Sequence, residues 1–273
     1  MRKPSRTPAA HASPGIHLSE AFGLRHLHVG GTAIQSAMRL DAPDDLALAY
    51  TRAMMAGLLF NPEPRDVTLI GLGGGSLAKY IYRQLPQTRI VALEVDVRVV
   101  AAAHRMFHLP LGKRRLRVIV RDGADFVAAH PASADLILLD AFVNHRQAPS
   151  IRTAQFYAAA RRALRRDGVL VINFMSDDPG LRAYLRRLAG AFDARLACLR
   201  ALGEDNIIVF AFAGDPGVIT PASLAGRGIA LERRHGIEFR RFAEGIRPPN
   251  RVLVDRRPLL SLRELEEARQ PSQ

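Results

Sequence analysis

The chain carries a single cysteine, Cys198, and no tryptophan in 273 residues. One thiol excludes an internal disulfide framework and any zinc site built from several cysteines. Lysine is almost as scarce, with three residues against 36 arginines. Aromatic residues make up only 6% of the chain, and no basic stretch interleaves with them. That argues against a ladder for stacking single-stranded nucleic acid. No apolar run approaches the ~18 residues of a membrane-crossing helix. The opening Met1-Arg2-Lys3-Pro4-Ser5-Arg6-Thr7-Pro8 lacks the apolar core of a secretory signal. A soluble, cytoplasmic protein with no membrane partner is expected.

What is present is enough for a large core: 48% of the residues are apolar, sufficient for one large or two modest domains without covalent staples. The net charge of +13 comes almost wholly from arginine. These arginines are spread along helical segments such as Arg161-Arg162 and Arg165-Arg166, which read as solvated helix faces. Nucleic acid is therefore not the expected partner.

Four segments are expected along the chain. Residues 1–14, rich in Pro, Ser and Ala, read as disordered. Residues 15–62 hold a β-hairpin and a helix. The hairpin flanks Gly30-Gly31, with strands at Leu24–Val29 and Ala33–Leu40. The helix spans Leu46–Leu59 on apolar spacing and is ended by Asn61-Pro62-Glu63-Pro64. In residues 63–214 strands alternate with helices. Strands are predicted at Val67–Leu72, Arg89–Glu94, Leu116–Arg121, Leu136–Asp140 and Val169–Phe174. Helices are predicted at Leu77–Gln84, Arg98–Phe107, Ala124–His130, Thr153–Leu164 (closed by Asp167-Gly168) and Pro179–Ala191. This alternation implies a parallel sheet. Two last strands, Arg195–Leu199 and Asn206–Phe212, are joined by Gly203-Glu204-Asp205, too short for a crossover, so they should be antiparallel. The fold class is thus α/β: a Rossmann-like, seven-stranded, methyltransferase-type sheet with a small N-terminal β-hairpin region. Residues 215–273 form a C-terminal extension, rich in Pro, Gly and Arg, with a charged helix over Leu259–Arg269.

The segment Asp66-Val67-Thr68-Leu69-Ile70-Gly71-Leu72-Gly73-Gly74-Gly75-Ser76 concentrates the chemistry. Strand, glycine turn, helix, strand and then an acid, Glu94, is the order that holds an adenosine-containing ligand. The glycines at 71, 73, 74 and 75 permit close backbone approach and positive φ. Glu94 at the next strand tip can accept from ribose hydroxyls. Asp122, followed by Gly123, can accept from the amine of adenine or cap the next helix. Asp140 ends the fourth strand and is placed to bind an amine nucleophile or take its proton. Ligands of open α/β sheets bind at the carboxyl ends of strands, where these four tips converge. The loop lacks the Lys-Ser/Thr of a phosphate-binding P-loop, which argues against NTP hydrolysis. His145, Arg146 and Gln147, in the next loop, read as solvated, and Tyr157 reads as core.

These residues resemble the spermidine synthase family of polyamine aminopropyltransferases. The resemblance runs through Gln35, Tyr50, Leu69–Gly75, Leu93-Glu94, Arg121–Phe126, Asp135–Asp140, Thr153–Tyr157 and Asp167–Val171, covering roughly residues 20–213. It implies decarboxylated S-adenosylmethionine as donor, an amine as acceptor, no metal and a homodimer. It further implies that Glu94 holds the ribose, Asp122 and Gly123 the adenine, that Gln35 lines the cavity, and that Asp140 is the base. Three positions depart from the family pattern. Ser76 replaces an aspartate that grips the donor's ammonium. Ala141, Phe142 and Val143 replace a segment carrying a second acid. Thr51 and Arg52 replace His or Gln and then Glu. The adenosine half of the site matches and the amine half does not. Two alternatives stay open: transfer of a methyl group from S-adenosylmethionine itself, and a non-catalytic nucleoside-binding protein.

Overall fold

The computed structural model describes residues 15–110, 114–143, 146–201, 203, 205–254 and 257–270. The expected disorder of residues 1–14, and His145 and Glu204, lie outside the described residues.

The N-terminal part is a three-stranded antiparallel sheet of β1 (Ile16–Ala21), β2 (Leu24–Val29) and β3 (Ser36–Arg39). A short helix α1 (Ala49–Met54) follows and tightens into a 3-10 turn at Met55–Leu59. The helix expected over Leu46–Leu59 thus begins later and ends in a different winding. The turn lies so close to the main sheet that a Cβ on Gly57 would meet Val171 Cγ2 at 2.9 Å.

The alternating region then gives β4 (Asp66–Ile70), α2 (Ser76–Gln84), β5 (Arg89–Glu94), α3 (Val97–Met106), β6 (Leu116–Val120), α4 (Gly123–Ala129) and β7 (Ala134–Leu139). A small hairpin, β8 (Phe142–Val143) and β9 (Arg146–Gln147), leads to α5 (Ala154–Ala163), β10 (Leu164–Met175), α6 (Leu181–Ala191), β11 (Leu196–Arg200) and β12 (Asn206–Phe212). The seven long strands form one sheet in the order β11-β12-β10-β7-β4-β5-β6. Strands β10, β7, β4, β5 and β6 are parallel, and β12 is antiparallel to both β10 and β11. The fold class read from the sequence is the one observed.

Most boundaries in this region lie within two residues of those expected, and one differs more. Asp167-Gly168 does not close α5; it lies inside β10, which starts at Leu164 and shifts register between Leu164 and Val169. Arg165 ties that extension to the starts of β7 and β4, donating to Asp135 at 2.9 Å and to Asp66 at 2.8 Å.

Side chains alternate across the sheet with the period-2 rule of strands. Val67, Leu69, Leu136, Leu138, Val169, Val171, Ile208 and Phe210 face one layer, with α1, α2 and the 3-10 turn. Ile137, Leu139, Leu170, Ile172, Ile207 and Val209 face the other, with α4, α5 and α6.

The C-terminal extension is more ordered than its composition suggests. It contains α7 (Pro221–His235), α8 (Phe239–Gly245), a strand pair β13 (Leu253–Val254) and β14 (Arg257–Pro258), and α9 (Leu262–Glu267). Leu224, Leu231, Phe239, Phe242 and Ala243 join the first core layer. The charged helix expected over Leu259–Arg269 is shorter, because Leu259 and Leu260 are buried ahead of it and Ser261 caps it.

Candidate active site

The strand order reverses direction at β4, whose neighbours are β5 and β7. The loops after β4 and β7 therefore leave the sheet side by side at its carboxyl edge, the place where open α/β sheets bind ligands. Gly71 brings them together. Its φ is +93°, and a Cβ there would lie 2.2 Å from the Asp140 carbonyl oxygen. No side chain fits that approach, so glycine is required for conformation and for space. Gly73 and Gly75 also have positive φ, at 52° and 76°. Gly74 and Gly75 are pressed from outside: added Cβ atoms would meet Phe107 Cδ1 at 2.7 Å and Leu109 Cδ1 at 2.8 Å. Packing of α3 and the segment after it thus demands part of the glycine run.

Glu94 sits at the tip of β5 with its carboxylate turned across the loop. Oε2 accepts from Leu72 N at 3.1 Å, and Oε1 accepts from Val95 N at 2.8 Å and Asp96 N at 3.1 Å. A carboxylate offers about four acceptor positions. With three filled by backbone, Glu94 has room for about one ribose hydroxyl, not the pair its position at the strand tip suggests. The bond from Leu72 N clamps the glycine loop to β5.

Asp122 caps α4, its Oδ1 accepting from Ala124 N at 2.7 Å. Oδ2 has no partner among the described residues, so capping and ligand recognition are compatible. Gly123 has a structural duty as well: a Cβ there would meet Ile70 Cγ2 at 2.3 Å. Gln35 and Ser76 turn toward the N-terminal sheet. Gln35 Nε2 donates to Val29 O at 3.2 Å, and its backbone carbonyl lies 3.9 Å from where a Cβ on Gly73 would be. Ser76 Oγ donates to Ala37 O at 3.3 Å and lies 3.4 Å from Ser36 Oγ. That hydroxyl joins α2 to β3.

Asp140 is the centre of a polar network. Its Oδ1 accepts from Asn173 Nδ2 at 2.9 Å, and the Tyr50 hydroxyl donates to the same carboxyl. Burial pushes the Asp140 carboxyl above its usual range, and the Asn173 and Tyr50 hydrogen bonds oppose that rise. Asn173 Oδ1 accepts in turn from Asn206 Nδ2 at 2.8 Å, and the Asn173 carbonyl accepts from Gln147 Nε2 at 2.9 Å. Gln147 is only 2% exposed, and its Oε1 has no partner among the described residues. It is not the solvated loop residue the sequence suggests, because β9 folds it against β10. Tyr157 is fully buried in the second core layer, as expected of its helix.

Asn173 and Asn206 were legible only as anomalies. Each is an amide in an otherwise apolar strand, Val169–Phe174 and Asn206–Phe212, where asparagine is normally depleted. Arg52 is tied elsewhere: Nε donates to Glu238 at 3.0 Å, and Nη1 donates to the carbonyls of Leu46 and Ala47 at 3.1 Å each. Its charge is thus matched by an acid from the C-terminal extension. Among the described residues no group of three His, Cys, Asp or Glu side chains is arranged to hold a metal ion, and no helix is long and apolar enough to cross a membrane.

Residues 47–184 match the family model of the spermine/spermidine synthase domain. The polyamine aminopropyltransferase of Chromobacterium violaceum is 37% identical over 243 residues, which is 89% of this chain and 93% of that protein. A probable spermidine synthase from Corynebacterium glutamicum shares the fold, with a TM-score of 0.67 at 22% identity, over 88% of this chain and 95% of that one. Human methyltransferase-like protein 13, solved in complex with SAH, gives a TM-score of 0.63 at 26% identity, over 70% of this chain and 94% of that one.

Proposed function

From the premise that the chain belongs to the spermine/spermidine synthase family, we propose that this transferase moves an aminopropyl group from decarboxylated S-adenosylmethionine to an amine acceptor. The observation that carries the reading is the meeting of the glycine loop with Asp140 at the strand reversal, with Glu94 clamped over the same loop. In this reading Gly71, Gly73, Gly74 and Gly75 form the floor under the donor. Glu94 takes a ribose hydroxyl, and Asp122 Oδ2 takes the adenine amine beside Gly123. Gln35 and Ser76 border the transferred group. Residues 63–214 hold the donor, and 15–62 contribute Gln35 and Tyr50.

The reaction is a displacement at the carbon next to the sulfonium. The acceptor nitrogen's lone pair forms the new C–N bond, the C–S bond breaks, and its electron pair stays on sulfur as a neutral thioether. The extra proton on nitrogen passes to Asp140. A sulfonium is already an excellent leaving group, so the step requires orientation, a free amine and excluded water more than any Lewis acid. A carboxyl whose proton affinity is raised by burial is a better base than one in water. Asp140→Asn should lower turnover by roughly 10²-fold or more while donor affinity holds. Near-normal turnover would remove Asp140 from this role.

A second reading, methyl transfer from ordinary S-adenosylmethionine, is favoured by one observation. Ser76 stands where an acid would repel the methionine carboxylate, and its hydroxyl is engaged by Ala37. Calorimetry with the two donors separates the readings, and tighter binding of the ordinary donor would reverse their order. A cytoplasmic homodimer completes the proposal. The exposed Leu18 and Phe22 at the N-terminal sheet are apolar surface that such an interface would cover, and sedimentation would read the monomer mass if there is none.

A further inference from the structure

Asn173 and Asn206 are 2% and 8% exposed, inside a sheet whose other buried positions are, Thr68 apart, apolar. Burying two amides there is unfavourable unless each is hydrogen-bonded. They are bonded to each other and to the Asp140 carboxylate in one line, Asn206 to Asn173 to Asp140, at 2.8 and 2.9 Å. The direction of that line is forced. An ionised carboxylate only accepts, so Asn173 must turn its NH2 toward Asp140. Its carbonyl oxygen then faces Asn206, which must present its own NH2. Asn206 Nδ2 lies 3.4 Å from Met175 Sδ as well, a weak acceptor that suits the same orientation. The strands fix the spacing: Asn206 pairs with Met175 and Asn173 with Ile208 in the antiparallel β10–β12 register, making the two asparagines diagonal neighbours.

We infer that Asn206, acting through Asn173, is a positioning residue that keeps a hydrogen-bond donor on Asp140 and holds its carboxylate in place. This rests on the reading of Asp140 as the base, and it adds the source of that base's orientation. The groups facing Asp140 are few. Tyr50 comes from α1 and Asn173 from β10, while the glycine loop presents backbone; among the described residues no charged group contributes to its titration. The Asp140 carboxylate already favours this orientation of the Asn173 amide, and Asn206 reinforces it by satisfying Asn173 Oδ1. Without Asn206 that oxygen is left buried and unpaired, the Asn173 amide is held less firmly, its bond to the carboxylate weakens, and Asp140 holds its proton to higher pH.

The full-length chain with Asn206→Leu tests this. It removes the donor while keeping the branched set of side-chain heavy atoms and adding no charge. The acidic limb of the kcat/KM profile should move up by about one pH unit, a roughly tenfold loss on that limb with little change at high pH. Donor affinity by calorimetry should stay within about twofold, since no donor contact is assigned to Asn206. An unmoved limb in the folded variant overturns the inference. The unsubstituted protein supplies a check that needs no variant. The side-chain NH2 resonances of Asn173 and Asn206 should both shift with the titration of the Asp140 carboxyl. A shift at Asn173 alone would break the relay. If Asp140→Asn keeps normal turnover while both resonances track Asp140, the role of Asp140 as base fails and the relay stands. The opposite pair of results sinks the relay and leaves the base.

Discussion

Gly71 joins two halves of the site, so its substitution is the most direct probe of that junction. Gly71→Ala forces a side chain into positive φ and against the Asp140 carbonyl. It should destabilise the protein by roughly 2 kcal/mol or more, and it should weaken donor binding in calorimetry even where the fold survives. Donor affinity equal to that of the unsubstituted chain would detach the loop from the site. Glu94 has a different signature. Three backbone N–H groups depend on its carboxylate, so Glu94→Gln places an NH2 against donors. Both stability and donor affinity should drop, the latter by about tenfold or more, as expected for a hydrogen bond to a charged group. At this scale the acids and glycines were readable because strand tips in an open α/β sheet converge whatever the details. The amides around Asp140 were not. Nothing local marks Asn173, Asn206 and Gln147 as neighbours: they come from three elements separated by 26 and 33 residues and meet only when β9, β10 and β12 assemble.

Among elements, the strands were legible because alternation and strand length report burial on two faces. The helices α7 and α8 were hidden by composition. Small and basic residues dominate α7, and the apolar positions that pack, Leu224 and Leu231, are seven apart. Its ends were nevertheless written in the chain. Thr220 and Ser223 form a reciprocal capping box with Pro221 at the first helical position, and Gly236 closes the helix at φ 69°. These helices enclose the 3-10 turn at Met55–Leu59 with α8's Phe239 and Phe242. Phe242→Ala should cost about 3–5 kcal/mol in urea denaturation, the usual range for emptying a buried aromatic site. A loss below about 1 kcal/mol would mean that the extension contributes little to the core.

For the molecule as a whole, arginine leaves a net charge of +13, although several arginines are tied down within the chain. Arg165 bridges Asp66 and Asp135, Arg182 and Arg186 share Glu264, and Arg115 donates to the carbonyls of Tyr82, Leu85 and Thr88. Binding to duplex DNA in a salt series should accordingly be weak and lost by physiological ionic strength. Tight binding that persists there would make the basic surface an interface. Global stability should also carry two pH signatures. His235 is buried against Tyr80 and Phe239 with neither ring nitrogen partnered, and burial lowers its pKa from 6.5 to about 4. Between those values the unfolded chain binds the proton and the folded one does not, so stability falls as pH drops from 6.5 toward 4. Lys79, buried with Nζ donating to Pro43 O, is lowered from 10.5 to about 8. The same sign makes stability rise from pH 8 toward 10.5. His235→Phe should flatten the acid-side slope of Tm and Lys79→Met the alkaline one. Slopes unchanged by either substitution would assign the pH dependence to other groups.

The chain alone determined the class of fold, the strand-turn-helix order around the glycine loop and which acids stand at the strand tips, because these follow from periodicity and from the steric freedom of glycine. Only the assembled structure decided how those acids are occupied. It turned Glu94 onto the glycine loop, gave Gly123 to Ile70, matched Arg52 with Glu238 from the far end of the chain and bonded Asp140 to the Asn173 amide and the Tyr50 hydroxyl. Each is a contact between residues distant in sequence, set by strand order and layer packing, and no local pattern records which partner a buried polar group will find.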